Sequence, residues 1–225
     1  MGKILRRPVN RWLAKQSMIA DTPFVDPAAI EGLGDLQRHW RVIQTEAMHL
    51  IDTREVIPPL GEISPDHRRI ARTAAWKSFF FQGYGFRSDA NCARCPHTAE
   101  LIDRVPGVVV AFFSIMEPGT HVPLHRGLTK AWLNCHLPLM VPDSDKRCEI
   151  EVAGTGAQWR EGKWLVFDET YPHEVWNDTD QLRVVLFLQV RRPMRPAGRL
   201  ASQLIYQGVR MSSFVQDARR AIGAR

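Results

Sequence analysis

Hydrophobic and polar positions follow two rhythms along this chain, and the change between them falls near Gly107. Before it, residues 29–50 (AIEGLGDLQRHWRVIQTEAMHL) set Leu36, Trp40, Ile43, Ala47 and Leu50 at three- and four-residue intervals, the spacing of an amphipathic helix lying on a core. A Pro-Asp turn signal opens ISPDHRRIARTAAWKSFFFQGYG, where a second short helix is expected. Another is expected from Thr98 to about Val105, stopped by Pro106-Gly107. After Gly107 the period shortens to two. Strands are expected over 108–116 (VVVAFFSIM), 132–141 (WLNCHLPLMV), 148–152 (CEIEV), 163–169 (KWLVFDE) and 182–190 (LRVVLFLQV). Turn signals such as Glu117-Pro118-Gly119 and Asn177-Asp178 separate them, as in an antiparallel sandwich or jelly roll. Beyond Arg191, residues Leu200, Leu204, Ile205, Val209 and Phe214 mark one more amphipathic helix. The expected class is therefore mainly β with flanking helices.

Composition adds bounds. The 225 residues suit one domain: a basic N-terminal segment and helix over 1–60, a β core over 61–193 and a basic C-terminal helix over 194–225. Hydrophobic content of 44% and charged content of 24% are ordinary for a folded chain. No apolar run is long enough to cross a bilayer, and MGKILRRPVNRWLAKQSM lacks the apolar centre of a secretory signal. Four cysteines do not make a disulfide scaffold at this length, so a reducing cytoplasm is the expected setting.

Charge changes the picture more. The net charge of +6 is unevenly spread: residues 1–15 hold five Lys/Arg and no acid, and residues 191–225 hold eight Arg and one acid, Asp217. The middle is net acidic. Such ends are either solvated helices or a peripheral contact with an anionic inner-membrane surface. No nucleic-acid-binding motif accompanies them, so no nucleic-acid partner is expected.

Candidate chemistry comes from strand faces. In WLNCHLPLMV the alternation puts Leu133, Cys135, Leu137 and Leu139 on one side and Asn134 and His136 on the other. In LRVVLFLQV, Arg183 shares a face with Val185 and Phe187. An arginine pointing inward with them needs a partner, and a bound carboxylate supplies one; the alternative is an edge strand with Arg183 in solvent. His125 and His173 lie in turns before strands, and turns at one mouth of a jelly roll meet in space. His125, then His173, then Arg183 ten residues on is the layout of a non-haem iron oxygenase: two imidazoles hold Fe(II), positions remain for 2-oxoglutarate and O₂, and the arginine takes the oxoacid's distal carboxylate. His121, upstream of Pro123, is expected to shape the loop. Cys92, Cys95 and His97 form half of a zinc pattern with no second pair nearby. Trp76, Phe79, Phe80, Phe81 and Tyr84 would be a substrate patch if exposed and a core wall if buried. No HExxH, Walker loop, GxGxxG or GxSxG occurs.

The segments FSIMEPGTHVPLHRG, CHLPLMVP, CEIEV…WREGKWLVFDETYPHEVWNDT and RVVLFLQV, from about Phe24 to Pro196, resemble the aspartyl/asparaginyl β-hydroxylase family of Fe(II)/2-oxoglutarate oxygenases. The resemblance implies a double-stranded β-helix, a cupin-like jelly roll. It implies metal ligation by His125 and His173 and 2-oxoglutarate contacts from Ser114, His136 and Arg183. Gly127 stands where most such oxygenases carry Asp or Glu, so water or an anion is expected there, oriented by Asp168 or Glu169. Asn134 stands where the family's animal members have arginine, which replaces a charged contact to the oxoacid with a neutral one. The implied reaction is hydroxylation of an Asp/Asn β-carbon or a related amino-acid substrate. The alternative is 2-hydroxylation of a lipid A or other acyl chain, because bacterial lipid hydroxylases share the Trp40 helix, the CPHT loop and the RPMR tail. Gly127 and HEVW, nearest the metal, favour the aspartyl type. A halogenase with chloride beside Gly127 and a metal-free binding module are the remaining options. The substrate is thus a small molecule, a peptide or a lipid.

Overall fold

Period-two burial builds two antiparallel sheets that face each other across a cavity. The computed structural model describes residues 3–53, 56–63, 69–71 and 74–221. The chain opens with α1 (Lys3–Gln16), β1 (Phe24–Val25), a 3-10 turn (Pro27–Ala29), α2 (Leu33–Arg38), α3 (Trp40–Asp52) and α4 (Leu60–Ile63). Next come β2 (Trp76–Gly83), β3 (Phe86–Arg87), α5 (Asp89–Arg94) and α6 (Pro96–Asp103). Strands β4 (Val108–Met116), β5 (Thr120–His125), β6 (Trp132–Met140), β7 (Cys148–Val152), β8 (Thr155–Ala157), β9 (Leu165–Phe167), β10 (His173–Asn177) and β11 (Arg183–Arg191) follow, and α7 (Pro196–Arg210) and α8 (Ser213–Ala221) close it. The larger sheet runs β1-β9-β6-β11-β4-β2-β3 and the smaller β5-β10-β7-β8. This is a jelly-roll arrangement with helices on the outside.

Each long strand of the larger sheet has two buried faces. Leu133, Cys135, Leu137 and Leu139 of β6, with Leu186 and Leu188 of β11, pack outward in one cluster with Ile43, Ala47 and Leu50 of α3 and Leu101 and Ile102 of α6. The opposite face, with Asn134, His136, Arg183, Phe187 and Gln189, lines the cavity. Burying both faces explains why β4, β6 and β11 read as near-continuous apolar runs.

Several expected elements differ in detail, each for a local reason. The helix expected over 29–50 begins at Leu33 and is broken at His39; Trp40 then lies over Gly162, where an added Cβ would sit 2.6 Å from its ring. The helix expected from Thr98 is α6, which begins at Pro96, and the stretch before it carries an unexpected short helix, α5, joined to it at Cys95. The expected C-terminal helix is likewise two, α7 and α8. Residues 64–68 of the expected second helix, and the Phe214 side chain, lie outside the described residues. β5 is an unexpected strand; it carries Pro123 and is an edge strand of its sheet, where a missing amide costs least. β2 is also unexpected. Its register shifts between Phe80 and Gln82, and the aromatic run divides: Phe79 and Phe81 join the core, while Trp76 and Phe80 line the cavity. No helix among the described residues is long and apolar enough to cross a membrane.

A buried ionic knot ties the two ends of the chain to the β core. Asp168, fully buried just after β9, accepts from Lys130 Nζ at 2.8 Å and from Arg192 Nη2, and its other oxygen caps Thr170. Its own amide donates to Pro23 O at 3.0 Å, and Lys130 also pairs with Asp21. Removing one partner of a buried ion pair strands the others in a low dielectric. Asp168→Asn is therefore expected to cost about 3 kcal/mol of stability, checked by chemical denaturation against the parent protein.

Candidate active site

β5 and β10 deliver the two histidines. They pair antiparallel with His173 opposite His125, so both rings emerge on the cavity side with centroids 4.1 Å apart. Each is a strand-end residue rather than part of the turn before a strand. His125 Nδ1 lies 2.8 Å from Pro123 O and His173 Nδ1 lies 3.0 Å from Tyr171 O. A carbonyl only accepts, so Nδ1 carries the proton in each ring and the lone pair is left on Nε2. Burial lowers the pKa of both, with His173 pushed down to about 4 by burial and then by His125. Two neutral imidazoles with exposed Nε2 lone pairs are the donor set a divalent metal takes.

β4, β6 and β11 deliver the other end of the site. Arg183 is 2% exposed, and its Nε and Nη1 have no protein partner; only Nη2 reaches Met116 Sδ. Burial lowers its pKa to about 10, so it remains a cation. Trp159 lies under its guanidinium, 4.6 Å from ring centroid to Cζ. The same indole donates from Nε1 to His136 Nδ1 at 3.2 Å. An indole nitrogen only donates, so His136 holds its proton on Nε2, which is buried and also without a partner. Burial first and Arg183 second keep His136 neutral. Ser114, beside them on β4, accepts from Trp76 Nε1 at 2.9 Å. Unpaired buried donors are costly, and the three here, two on the Arg183 cation and one on His136, form a site suited to a carboxylate. The residues present thus fit both a two-histidine metal and an oxoacid.

The position of Gly127 is decided by Glu169. A Cβ on Gly127 would run into the Glu169 carboxyl group. Gly127 N donates to Glu169 O, and Glu169 Oε1 and Oε2 accept from Leu128 N and Gln189 Nε2, each at 3.0 Å. Gln189 also donates to Asn134 Oδ1 at 3.2 Å. Asn134, Gln189 and Glu169 therefore form a second polar cluster in the cavity, with Asn134 two residues along β6 from His136. Asp168 points the other way, into the ionic knot, and does not line the cavity. Among the described residues no third His, Cys, Asp or Glu joins the histidines within metal-binding reach. Cys92 and Cys95 are free, buried thiols in the hydrophobic core, not part of a metal cluster. His121 stacks on Trp176 and bonds Glu174 at 2.6 Å on an exposed face. Trp159 and Gln189 were not singled out in the sequence. Gln189 shares the face of Arg183 by simple alternation, whereas Trp159 lies outside any strand and carried no local signal.

Burial raises the Glu169 pKa from 4.5 to about 7, opposed by the Leu128 amide. A folded pKa above the unfolded one means that the folded chain binds more protons between these values. Glu169 therefore contributes stability that is present below about pH 4.5 and lost as pH rises through about 7. Glu169→Gln is expected to remove roughly 3 kcal/mol of that pH dependence, read from denaturation midpoints across the window. Gly127→Ala is expected to cost about 2 kcal/mol alone and little in a Glu169→Ala background; thermal melts of the four proteins check the pair.

Comparison with known proteins supplies the lineage. The aspartyl/asparaginyl β-hydroxylase family pattern matches residues 37–193. The chain is 32% identical over 203 residues to an ornithine lipid ester-linked acyl 2-hydroxylase of Rhizobium tropici, covering 90% of this chain and 72% of that protein. It is 31% identical over 163 residues to the Homo sapiens aspartyl/asparaginyl β-hydroxylase, covering 70% of this chain but only 21% of the human protein. Among solved structures, a Pseudomonas putida prolyl-4-hydroxylase overlaps with a TM-score of 0.43 at 17% identity, covering 69% of this chain and 87% of that chain, too loose a likeness to carry an argument. By the family match and the extent of the Rhizobium alignment, the chain is an enzyme of the aspartyl/asparaginyl β-hydroxylase family.

Proposed function

We propose that this enzyme is a 2-oxoglutarate-dependent dioxygenase that hydroxylates a lipid acyl chain, at the carbon next to the ester carbonyl. The observation that carries the substrate is the cavity. At about 990 Å³ it stands at the upper end of the range for small-molecule sites, roughly 300–1,000 Å³, and far exceeds one amino-acid side chain. Phe80, Phe112 and Phe187 wall it on one side, and Ile63, Leu204 and Val209 from the helices on another. The Rhizobium relative, named for acyl 2-hydroxylation, also aligns with more of the chain than the human one does. A second reading, hydroxylation of an Asp/Asn β-carbon, is favoured by the Asn134–Gln189–Glu169 cluster, whose donors and acceptors suit a carboxamide or carboxyl group.

In this reading His125 and His173 hold Fe(II), and the cation of Arg183 with Ser114 and His136 Nε2 holds the carboxylate of 2-oxoglutarate. Bound together, iron and oxoacid supply the oxidation: one O₂ and one 2-oxoglutarate yield succinate, CO₂ and one oxygen atom inserted into a C–H bond. The protein's own residues do the rest. Trp159 fixes the direction of His136 and covers Arg183, and the apolar walls exclude water from the reacting carbon. Glu169, seated where a residue-127 side chain would lie, lines the same cavity as the two histidines and would present its carboxyl group to the substrate there. Asp168 acts only through the turn it anchors. Asn134 meets the substrate through Gln189 and Glu169 rather than the oxoacid. In this reading the enzyme works in the cytoplasm, and its basic ends suit a peripheral contact with an anionic inner-membrane surface.

The test is turnover of an ester-linked acyl amphiphile and of an Asp/Asn peptide with Fe(II) and 2-oxoglutarate. Succinate is measured, with mass spectrometry locating the added oxygen. Hydroxylated acyl chain is expected, and His125→Ala and His173→Ala are expected to fall to background. Arg183→Gln is expected to raise the KM for 2-oxoglutarate roughly a hundredfold, about 2–3 kcal/mol. Peptide turnover without acyl turnover transfers the assignment to the second reading; no succinate and no bound metal under either condition overturns both.

A further inference from the structure

We infer that the outer faces of α1 and α7 form a docking surface for an anionic lipid bilayer, placed so that the cavity mouth opens at the membrane. The surface serves the acyl-chain reading, on which its purpose rests, but the observations behind it are separate.

Single exposed apolar side chains are common, but a cluster of them is informative: of the eight large ones exposed among the described residues, five lie at the two chain ends, and Val42, Val56 and Leu124 are the others. Leu200 and Leu204 on α7 and Met211, its C-cap residue, are 65%, 65% and 74% exposed. Their spacing of four and seven residues puts them on one stripe of the helix, with Gly208 between them. On α1 Trp12 is exposed, and Met18, just beyond it, is 68% exposed. The two elements are one unit: Leu13, Ala201 and Ile205 share a small core, Ser17 bridges Met194, and Arg195 Nη1 donates to Lys15 O. Neither helix can rotate its apolar residues inward, because Leu13, Gly198 and Ser202 already fill the inner faces.

Basic residues border these apolar positions. Arg7, Arg11 and Lys15 are exposed on α1, and Arg195 and Arg199 at the start of α7. None of the five makes a salt bridge among the described residues, whereas Asp217 is the one acid beyond residue 190. Exposed Trp, Leu and Met set among unpaired Lys/Arg is the surface of a helix that lies in a headgroup layer. A second copy of this chain would need acidic residues on this same face to meet these cations, and residues 1–20 hold none, whereas a bilayer of anionic lipid supplies the negative charge itself.

The third observation joins this surface to the site. Leu204 is both part of the exposed stripe and part of the cavity lining, as is Gly208 beside it. Arg6 on α1 and Arg219 on α8 stand on the same rim. An acyl chain leaving a bilayer at Leu204 would pass directly into the apolar part of the cavity without crossing water.

The experiment is co-sedimentation of the full chain with phosphatidylcholine vesicles, with and without added phosphatidylglycerol, in low and high salt and with no iron or oxoacid present. Binding is expected only with phosphatidylglycerol and is expected to weaken with salt. Arg7→Glu/Arg11→Glu/Lys15→Glu is expected to lose about fivefold or more per residue. Leu200→Ser/Met211→Ser is expected to lose binding without a change in charge. Lys146→Glu, in the turn before β7, changes charge away from this surface and is expected to leave binding intact; thermal melts confirm that each variant is folded. Absence of binding, equal binding by all variants, or equal loss with Lys146→Glu would overturn the docking face. So would a dimer in solution that Leu200→Ser/Met211→Ser dissolves, since the face would then belong to a second copy. Because no turnover is measured, vesicle binding without acyl hydroxylation would separate failure of the substrate reading from failure of the surface.

Discussion

The buried carboxylate of Asp168 holds the arrangement on which the site depends. It gathers Lys130 from the approach to β6 and Arg192 from the exit of β11, and through its amide it holds the segment before β1. The short turn from Asp168 to Pro172 is thereby pinned at one end, and the next residues it presents are Glu169 on the cavity side and His173 at the start of β10. Ionic groups with no access to water tolerate little displacement, since every partner left behind is an unpaired charge. The position of His173 is thus inherited from a salt-bridged knot whose carboxylate does not itself line the cavity.

Two carboxyl groups adjacent in sequence, in the turn after β9, have opposite fates. Asp168 turns outward to cations and Glu169 turns inward to amides, so one is structural and the other lines the cavity. Glu169 also explains Gly127. The glycine is not merely a missing ligand; its lack of a side chain is what lets the neighbouring turn bring a carboxyl group into that space. The cavity wall at Gly127 is shaped by this exchange between two loops.

The cavity has two polar ends in an otherwise apolar chamber. One end is a cation with unpaired donors, Arg183 and His136, held in place by Trp159; the other is the neutral, mutually bonded set of Asn134, Gln189 and Glu169. Between and above them the walls come from β2, β4 and β11 and from the C-terminal helices. Enzymes of one fold acquire different substrates through such walls rather than through the conserved chemistry of the metal ligands. Here the helices outside the β core supply much of that wall.

Much of this was written locally in the chain. Strands β4, β6, β7 and β11 followed from period-two patterning and turn residues, and the facing of His136, Asn134 and Arg183 followed from counting along those strands, because alternation in a strand is a local geometric fact. The resemblance carried by FSIMEPGTHVPLHRG, CHLPLMVP, FDETYPHEVW and RVVLFLQV pointed to His125, His136, His173 and Arg183. What the chain could not state locally were relations between distant segments. β5 was hidden by Pro123, acceptable only because that strand lies at a sheet edge. The bulge in β2 blurred its alternation, and the helices at both ends broke where packing required. The pairing of His125 with His173, the seating of Glu169 against Gly127, the indole of Trp159 joining His136 to Arg183, and the meeting of α1 with α7 at the cavity rim are contacts across many tens of residues. Sequence by itself determined which residues could share a face; tertiary structure decided which faces meet, because that choice rests on packing and desolvation summed over the whole fold.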